Sequence, residues 1–481
     1  MLDSPEVITS ADLLGSQPEP IPVTAQQVLE ARQGAARTLI VLDDDPTGTQ
    51  SVADLPVLTS WDTADLAWAL KGGAPAVYVM TNSRSLDPDT AAARNHEVAA
   101  NALAAATEVG VEIDFVSRSD STLRGHYPLE PDVLAEEMDR AGITIDGVII
   151  VPAFADAGRV TVDSVHYAGS TTLGFTPVGQ TEFAQDATFG YAASNLTEWV
   201  AEKTQGRFAA QSVAAITLTT LRSGPQAVAD VLQSLTDASP VVVDIAQESD
   251  LRVLALGILA AEAKGKRFIH RVGPPFVRAL VGQDIVEPLT SDDCDTIREG
   301  GKAQDAAFGL IVVGSHVSMT TKQLDALRAR HQPTEIEIDV AQALGDDADA
   351  HLDDVVARAL EGLADGNVII RTSRTLVTGN DGASSLDIAR TVSDAVVHTV
   401  QAILASQSLR FVIAKGGITS SDVASRGLSI TRAICRGPML PGIVSLWEPT
   451  EGPAQGIPYI VFAGNVGTED SLADVVDKLS A

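Results

Sequence analysis

The chain has 481 residues, 45% hydrophobic and 20% charged, which is typical of a globular protein and long enough for two domains with separate cores. Its formal net charge of −31 at pH 7 argues against nucleic acid or an anionic membrane as a partner, because phosphate groups are bound by basic surfaces. The two cysteines, Cys294 and Cys435, lie far apart and favour neither a disulfide framework nor a zinc site.

Residues 1–36 are predicted to be a polar lead-in with a helix near residues 25–35. They contain no apolar stretch behind a basic start, so no signal peptide is expected. No window holds about 18 consecutive apolar residues, so no membrane-spanning helix is expected either. These observations predict a cytoplasmic protein.

Short apolar runs alternate with alanine-rich, helix-compatible windows along the whole chain. In the first half the predicted strands are residues 37–42, 76–80, 113–116, 148–151, 214–218, 241–245 and 267–270, and the predicted helices include 90–109, 131–141 and 227–235. In the second half the predicted strands are 309–313, 335–340, 368–371, 410–414, 443–447 and 459–462, with helices near 320–330, 351–363, 385–406 and 470–480. This alternation predicts parallel sheets with helices on their faces.

A turn-rich segment between residues 273 and 307 separates the two halves. The sequence therefore predicts an α/β protein with a lead-in (1–36), an N-terminal domain (37–280) and a C-terminal domain (281–481). Each domain is expected to be a mainly parallel sheet flanked by helices. Ligands of such sheets bind at the carboxyl ends of the strands, so the residues that follow each apolar run are the candidates for chemistry.

Three consecutive carboxylates, Asp43, Asp44 and Asp45, follow the first predicted strand. Like charges this close are costly unless a cation or a substrate donor compensates them, which is common in active sites. A solvated acidic turn before Pro46 is the alternative.

The loops after the next three strands are rich in arginine and hydroxyl groups. They are Thr81-Asn82-Ser83-Arg84-Ser85, the stretch 117–126, and Pro152 to Arg159. Each could be an ordinary surface loop, but arginines after successive strands are unexpected in a chain this acidic. We expect Arg84, Arg118, Arg124 and Arg159 to converge on a carboxylate, with Asn, Ser and Thr left to bind sugar hydroxyls.

The loops of the second half contain glycine, serine and threonine instead. Residues 314–320 follow one strand and residues 463–468 follow the last; between them an apolar strand ends at Lys415-Gly416-Gly417-Ile418-Thr419-Ser420-Ser421-Asp422. Glycines without Cβ allow positive φ and close approach to a ligand, and the hydroxyl residues are good helix N-caps, so we interpret these loops as a phosphate cradle. An ordinary strand-to-helix turn is the alternative. His316 is interpreted as structural.

No Walker A, protein-kinase glycine loop, HExxH or GxSxG pattern is present, which argues against those enzyme classes. Instead, four stretches together resemble the four-carbon acid sugar kinase family, from about Thr38 to the C-terminus. They are Asp44-Asp45-Pro46-Thr47-Gly48, Ser119-Asp120-Ser121-Thr122-Leu123-Arg124-Gly125, Pro152-Ala153-Phe154 with Gly158-Arg159, and Lys415 to Ser420. The sequence departs from the family pattern at Pro46, where phenylalanine is usual, at the extra Asp43, and in its long lead-in. These departures leave the particular substrate open.

The resemblance implies that ATP and Mg²⁺ are used to phosphorylate threonate, erythronate or a related sugar acid in a cleft between the domains. It implies that Asp44 or Asp45 is the catalytic base. Candidate acid-binding residues are Asn82, Arg84, Asp120, Ser121, Arg124 and Arg159. Candidate nucleotide-binding residues are Ser318, Gly416, Gly417, Ile418, Thr419 and Gly464. No dedicated protein ligands for a metal are expected, because Mg²⁺ should bind mainly to ATP oxygens and water.

Two other classes of function remain open at this point. A sugar-acid-binding regulator could use the arginine loops without turnover, but it would not need the loops of the second half. A Mg²⁺-dependent hydrolase or phosphatase could use residues 43–45. Neither nucleic acid nor membrane is expected as a partner, and assembly into a homo-oligomer is left open.

Overall fold

The computed structural model describes residues 7–33, 37–373 and 382–481. The strands are β1 (Thr38–Asp43), β2 (Leu55–Leu58), β3 (Ala76–Met80), β4 (Ile113–Arg118), β5 (Gly147–Val151), β6 (Arg159–Val162), β7 (Val165–Ser170), β8 (Gly174–Pro177), β9 (Ala214–Ile216), β10 (Ser239–Val243), β11 (Phe268–Val272), β12 (Leu310–Val313), β13 (Thr334–Ile338), β14 (Val368–Thr372), β15 (Val412–Lys415), β16 (Arg432–Leu440), β17 (Ile443–Pro449) and β18 (Tyr459–Phe462).

The helices are α1 (Ser10–Leu14), α2 (Ala25–Arg32), α3 (Thr63–Lys71), α4 (Pro88–Val109), α5 (Leu129–Arg140), α6 (Leu196–Lys203), α7 (Leu218–Leu221), α8 (Pro225–Gln233), α9 (Glu248–Glu262), α10 (Pro275–Val281), α11 (Ser291–Arg298), α12 (Ser318–His331), α13 (Val340–Ala343), α14 (Ala348–Gly362), α15 (Gly382–Ser406), α16 (Gly417–Asp422) and α17 (Ser471–Ser480). Val423–Gly427 continues α16 as a π-helical turn.

The chain divides into two compact units. Unit 1 consists of Met1–Gly48 and Trp61–Ile285, and unit 2 consists of Thr49–Ser60 and Val286–Ala481. The short segment Thr49–Ser60, which contains β2, belongs to unit 2 although it lies early in the sequence. Its strand is antiparallel to β16, and the Trp447 indole donates a hydrogen bond to the Thr49 hydroxyl at 2.9 Å.

Unit 1 contains a parallel sheet with the strand order β3-β1-β4-β11-β5-β10-β9. Unit 2 has parallel strands in the order β13-β14-β12-β15-β18, followed by antiparallel β17, β16 and β2. The predicted α/β class with two domains, each a mainly parallel sheet flanked by helices, is confirmed.

Helix α4 shows how local sequence sets an element of this fold. Asp87 caps its start by accepting a hydrogen bond from the Thr90 amide, Pro88 is its first residue, and Gly110 ends it in the left-handed region at φ 79°. Its buried face consists mainly of alanines, and their small side chains let it pack against its neighbours α3 and α5.

Several features differ from the sequence prediction. The strand predicted at 214–218 ends at Ile216, because Thr217 caps helix α7. The helix predicted at 25–35 ends at Arg32, and residues 34–36 lie outside the described residues. A three-stranded antiparallel sheet, β6-β7-β8, was not predicted.

The strand register places the ends of the central strands at one level. In unit 1, Asp43 at the end of β1 is opposite Met80 of β3 and Arg118 of β4, and Arg118 is opposite Val272 of β11. In unit 2, Lys415 at the end of β15 is opposite Val313 of β12 and Phe462 of β18. The loops that follow these residues therefore emerge side by side in each unit, as ligand loops of parallel sheets do.

Candidate active site

Asp43 does not face a ligand but forms a buried ion pair inside unit 1. Its carboxylate accepts from the guanidinium of Arg118, and both side chains are almost fully buried. A Cβ added to Gly48 would collide with both members of this pair, so only glycine lets the turn after the aspartates pack there. Arg118, which we expected among the carboxylate-binding arginines, is thus committed to Asp43.

Asp44 forms a bidentate pair with Arg84. Nη2 of Arg84 donates to Oδ1 of Asp44 at 2.6 Å and Nε donates to Oδ2 at 3.1 Å. The carboxylate is 1% exposed, and burial raises the pKa of Asp44 to about 7 against the opposing charge of Arg84. Both oxygens are occupied, so this residue fixes the orientation of Arg84.

Asp45 is the most accessible carboxylate of the three, with 23% of its side chain exposed. Its Oδ1 accepts from the amide of Thr47 at 3.0 Å and from the hydroxyl of Thr47 at 2.5 Å. Oδ2 lies 3.7 Å from Nη1 of Arg84. Asp45 is therefore held in place through one oxygen while the other remains available to a reacting group.

Asp120 and Arg124 form the second half of this charged network. Nε of Arg124 donates to Asp120 at 2.7 Å, and Thr122 donates to the same oxygen. Burial opposes ionisation, but the guanidinium groups of Arg84 and Arg124 hold the pKa of Asp120 well below its usual range. The loop can lie this close to Asp44 and Arg271 only because residue 125 is a glycine, at φ 110°. A Cβ at this position would lie 3.0 Å from Asp44 and 2.9 Å from Arg271.

Arg124 and Arg159 lie over the same aromatic ring. Their Cζ atoms are 5.5 Å and 5.6 Å from the ring centroid of Phe183. Cation–π contacts of this kind hold guanidinium groups without consuming their N–H donors. Asp186 lies 3.9 Å from Arg124, which makes the segment after β8 a wall of this site. Sequence reasoning missed Phe183 because it lies in a 3₁₀ turn, Glu182–Gln185, which is too short to give a periodic pattern.

Asn82 and Ser121 lie in the same set of loops. Asn82 takes the left-handed conformation at φ 51°, and its backbone N–H donates to the Asp43 carbonyl at 3.2 Å. The carbonyl of Ser121 accepts from Nε2 of His166 at 2.8 Å. Of the expected acid-binding residues, two lie on the loop after β3, three lie on the loop after β4, and Arg159 is the first residue of β6.

A second layer of buried groups supports these loops, and the sequence did not reveal it. Arg271, inside strand β11, donates to Glu130 and, at 2.8 Å, to Ser117. Glu130 on α5 also accepts from Ser83 at 2.5 Å. Glu130 resembles a surface residue of a helix in the sequence, yet it joins the loop after β3 to strands β4 and β11.

In unit 2, the loops after β12 and β18 meet at the start of helix α12. The Thr320 hydroxyl contacts the Ser315 hydroxyl at 3.0 Å and donates to the Gly464 carbonyl at 2.9 Å. A Cβ on Gly464 would collide with the Ser315 side chain. The first turn of α12, which contains the exposed Ser318, has no side-chain N-cap, so its amides are available to an anion.

The loop after β15 completes this cradle but starts its helix earlier than predicted. Gly416 takes φ 126°, a conformation essentially restricted to glycine, whereas Gly417 is already the first residue of α16. Thr419 and Ser420, expected as N-caps, lie inside the helix, where Ser420 donates back to the Ala414 carbonyl at 2.8 Å. Ile418 is 60% exposed.

Comparison with known proteins finds two domain families that match this chain. Residues 39–280 match the family described as the sugar-binding N-terminal domain, and residues 310–472 match the nucleotide-binding C-terminal domain. The chain belongs to the four-carbon acid sugar kinase family. The resemblance of its loop motifs to this family is thereby confirmed, and the chain carries a sugar-binding and a nucleotide-binding domain. No curated protein matches the sequence.

Two solved structures share the fold of this family member. A protein of Salmonella typhimurium LT2 is 17% identical, covers 91% of this chain and 98% of its own, and has a TM-score of 0.66. A Haemophilus influenzae protein from a domain family of unknown function is 18% identical, with coverages of 91% and 99% and a TM-score of 0.58.

The loops after β12, β15 and β18 lie in the part of the chain that matches the nucleotide-binding domain. Gly416 takes a positive φ, and a Cβ on Gly464 would collide with the Ser315 side chain, so both positions require glycine. Within the described ranges, no cluster of three or more His, Cys, Asp or Glu side chains is arranged to hold a metal ion. None of the described helices has both the length and the apolar character needed to cross a membrane.

Proposed function

We propose that the chain is an ATP-dependent kinase that phosphorylates a hydroxyl group of a small sugar acid. The observation that carries this proposal is the arginine pair Arg124 and Arg159 over one ring. Arg124 pairs with Asp120, and the charge of Asp120 also interacts with Arg84, the partner of Asp44 in the aspartate loop. Forked guanidinium groups together with an accessible carboxylate suit an acceptor that is both anionic and hydroxylated. That the reaction takes place in a cleft between the domains stays a prediction.

In this proposal Asp45 is the general base. It is the accessible member of the aspartate run, and its free Oδ2 would take the proton of the attacking hydroxyl. Asp44 would hold Arg84 in position, and Asn82 and Ser121 would bind hydroxyl groups of the acid. This assigns the two aspartates different roles, which the sequence alone left open.

The nucleotide would bind at the loops of unit 2. Ser318 at the uncapped start of α12, together with Gly416, Gly417, Ile418, Thr419 and Gly464, would surround its phosphates. Mg²⁺ would accompany ATP through phosphate oxygens and water, because it retains its water ligands strongly. A bound MgATP supplies the phosphoryl group, and the protein supplies alignment and charge.

The proposal is tested by measuring ADP release in a coupled assay with threonates, erythronates and oxidised branched-sugar acids as acceptors. We expect ADP formation that depends strictly on one of these acids, and none with the corresponding polyols threitol and erythritol. ADP formation without an acceptor would indicate a hydrolase. Binding of acid without ADP formation would indicate a regulator. Equal use of polyols would contradict the role of the arginines in carboxylate binding.

A further inference from the structure

The ammonium group of Lys415 is buried in unit 2 without an acidic partner. The residue is 0% exposed, Nζ donates to the Ala463 carbonyl at 3.0 Å, and it lies 3.8 Å from the ring centroid of Phe462. Within the described part of the chain no carboxylate forms an ion pair with it. Burial lowers the pKa of Lys415 to about 7.

Several other buried cations in the described part of the chain are paired with carboxylates. Arg222 forms a bidentate pair with Asp250, and Arg271 is paired with Glu130. Burying a charge without a partner costs free energy, because the charge loses its hydration and gains no anion in return. One carbonyl and one ring face offset only part of this cost for Lys415. A compensating anion would therefore stabilise this region.

The location of Lys415 indicates where such an anion would come from. The residue ends β15 immediately before Gly416, and its one hydrogen bond holds Ala463, the neighbour of Gly464. Charged groups on the adjacent elements are used elsewhere or exposed. Lys322 of α12 pairs with Glu469 at 2.6 Å, Asp422 of α16 accepts from Ser393, and His316 after β12 is exposed.

We propose that Lys415 is a positioning residue of the nucleotide site, which holds the loop at Ala463 and Gly464 and supplies a buried positive charge that nucleotide phosphates compensate. The inference rests on the nucleotide site proposed above. It differs from a structural role in one respect. A structural lysine stabilises the free protein, whereas this lysine stabilises mainly the nucleotide complex.

Lys415→Met, which keeps most of the length of the side chain and removes its charge, separates the two roles. We expect MgADP affinity, measured by calorimetry, to fall about 10- to 100-fold, the range for one lost charge-assisted contact. The melting temperature of the free protein should stay the same or rise. The matched control is Lys478→Met, because Nζ of Lys478 also donates to backbone carbonyls, those of Leu289 and Met439, both at 2.8 Å. This control should lower the melting temperature and leave MgADP affinity unchanged.

A second measurement uses the wild type and does not depend on how the variant folds. Calorimetry of MgADP binding at about pH 8 in two buffers of different ionisation enthalpy reports proton uptake. We expect uptake of part of a proton by the wild type and less by Lys415→Met. Wild-type binding without proton uptake, or a variant with unchanged affinity and lower stability, would overturn this inference but not the proposed nucleotide site. A wild type that does not bind MgADP would overturn the proposed nucleotide site and the inference with it.

Discussion

The loops of unit 1 and those of unit 2 both follow parallel strands, but they consist of different types of residue. In unit 1 the loops after β1, β3 and β4 carry paired charges, such as Asp44 with Arg84 and Asp120 with Arg124. In unit 2 the loops after β12, β15 and β18 present glycine, hydroxyl groups and a helix start, with Lys415 as a buried cation. The planar guanidinium groups of arginine select a small anion by its shape, whereas backbone N–H groups bind phosphate without selecting what is attached to it.

This difference predicts that mutations in the two regions separate acceptor chemistry from nucleotide binding. The largest expected effect is that of Asp45→Asn. Loss of a general base should lower kcat by about 10²–10⁴-fold, while MgADP affinity stays nearly unchanged because the change lies in unit 1. Steady-state kinetics and calorimetry measure both quantities. The control is Asp62→Asn, an exposed helix N-cap residue that makes no side-chain cap bond. If the variant keeps more than about a tenth of wild-type kcat, Asp45 is not the general base and another residue must take the proton.

Arg124 tests whether the arginine fork selects the carboxylate. Arg124→Lys keeps the charge but loses the planar fork, so KM for the acid should rise. Arg124→Ala should cost about 2–5 kcal/mol in kcat/KM, since a desolvated carboxylate would lose its partner. Arg207→Lys is the matched control, because Arg207 forms a bidentate pair with Asp132 and both side chains are more than 40% exposed. An Arg124→Lys enzyme with unchanged KM for the acid would assign this arginine to another role.

Gly416→Ala tests the backbone cradle of unit 2. The residue has φ 126° and ψ 147°, a region nearly restricted to glycine, and strain there is of order 1–3 kcal/mol. MgADP affinity should therefore fall about 5-fold or more, with acid binding to unit 1 unaffected. Gly366→Ala is the control, because a Cβ there meets nothing within 4 Å and no positive φ is involved. Calorimetry with unchanged MgADP affinity for Gly416→Ala would make this loop an ordinary turn.

The sequence predicted which loops carry chemistry because strand ends in parallel sheets are visible as breaks in apolar runs. It did not predict which side chains would pair. Arg118 and Arg124 look equivalent in sequence, but only the register of β1 and β4 shows that Arg118 is opposite Asp43. Arg271 was missed because it lies inside a strand, and Glu130 because one carboxylate on an amphipathic helix is usually solvated.

The antiparallel strands were the least predictable part of the fold. The three-stranded sheet β6-β7-β8 and the pairing of β2 with β16 depend on non-local contacts, which leave no periodic signal in short runs. The turn at Pro441-Gly442 between β16 and β17 is a local signal that could have identified that hairpin. The same limitation hid the contribution of the small sheet to the acid loops.

The smallest expected effect concerns His166, through which the small sheet supports the loop of Asp120 and Ser121. Nε2 must carry a proton because it faces the Ser121 carbonyl at 2.8 Å, so Nδ1 accepts from the Thr161 hydroxyl at 2.9 Å and the neutral ring is satisfied. Burial lowers the pKa of His166 to about 4 from its ordinary 6.5.

Because the unfolded chain binds a proton at this histidine more readily than the folded chain, stability falls as pH decreases from about 7 toward 4. His166→Gln keeps a donor for Ser121 but does not titrate, so it should lose less stability on acidification. Between pH 7 and about pH 5.5 we expect a difference of about 1 kcal/mol between wild type and variant, measured by calorimetric unfolding. His316→Gln, at an exposed histidine of unit 2, is the control and should follow the wild type. Identical pH dependence of wild type and His166→Gln would mean that protonating His166 costs the folded protein no stability. The assignment of a neutral His166 that supports the loop of Asp120 and Ser121 would then be wrong.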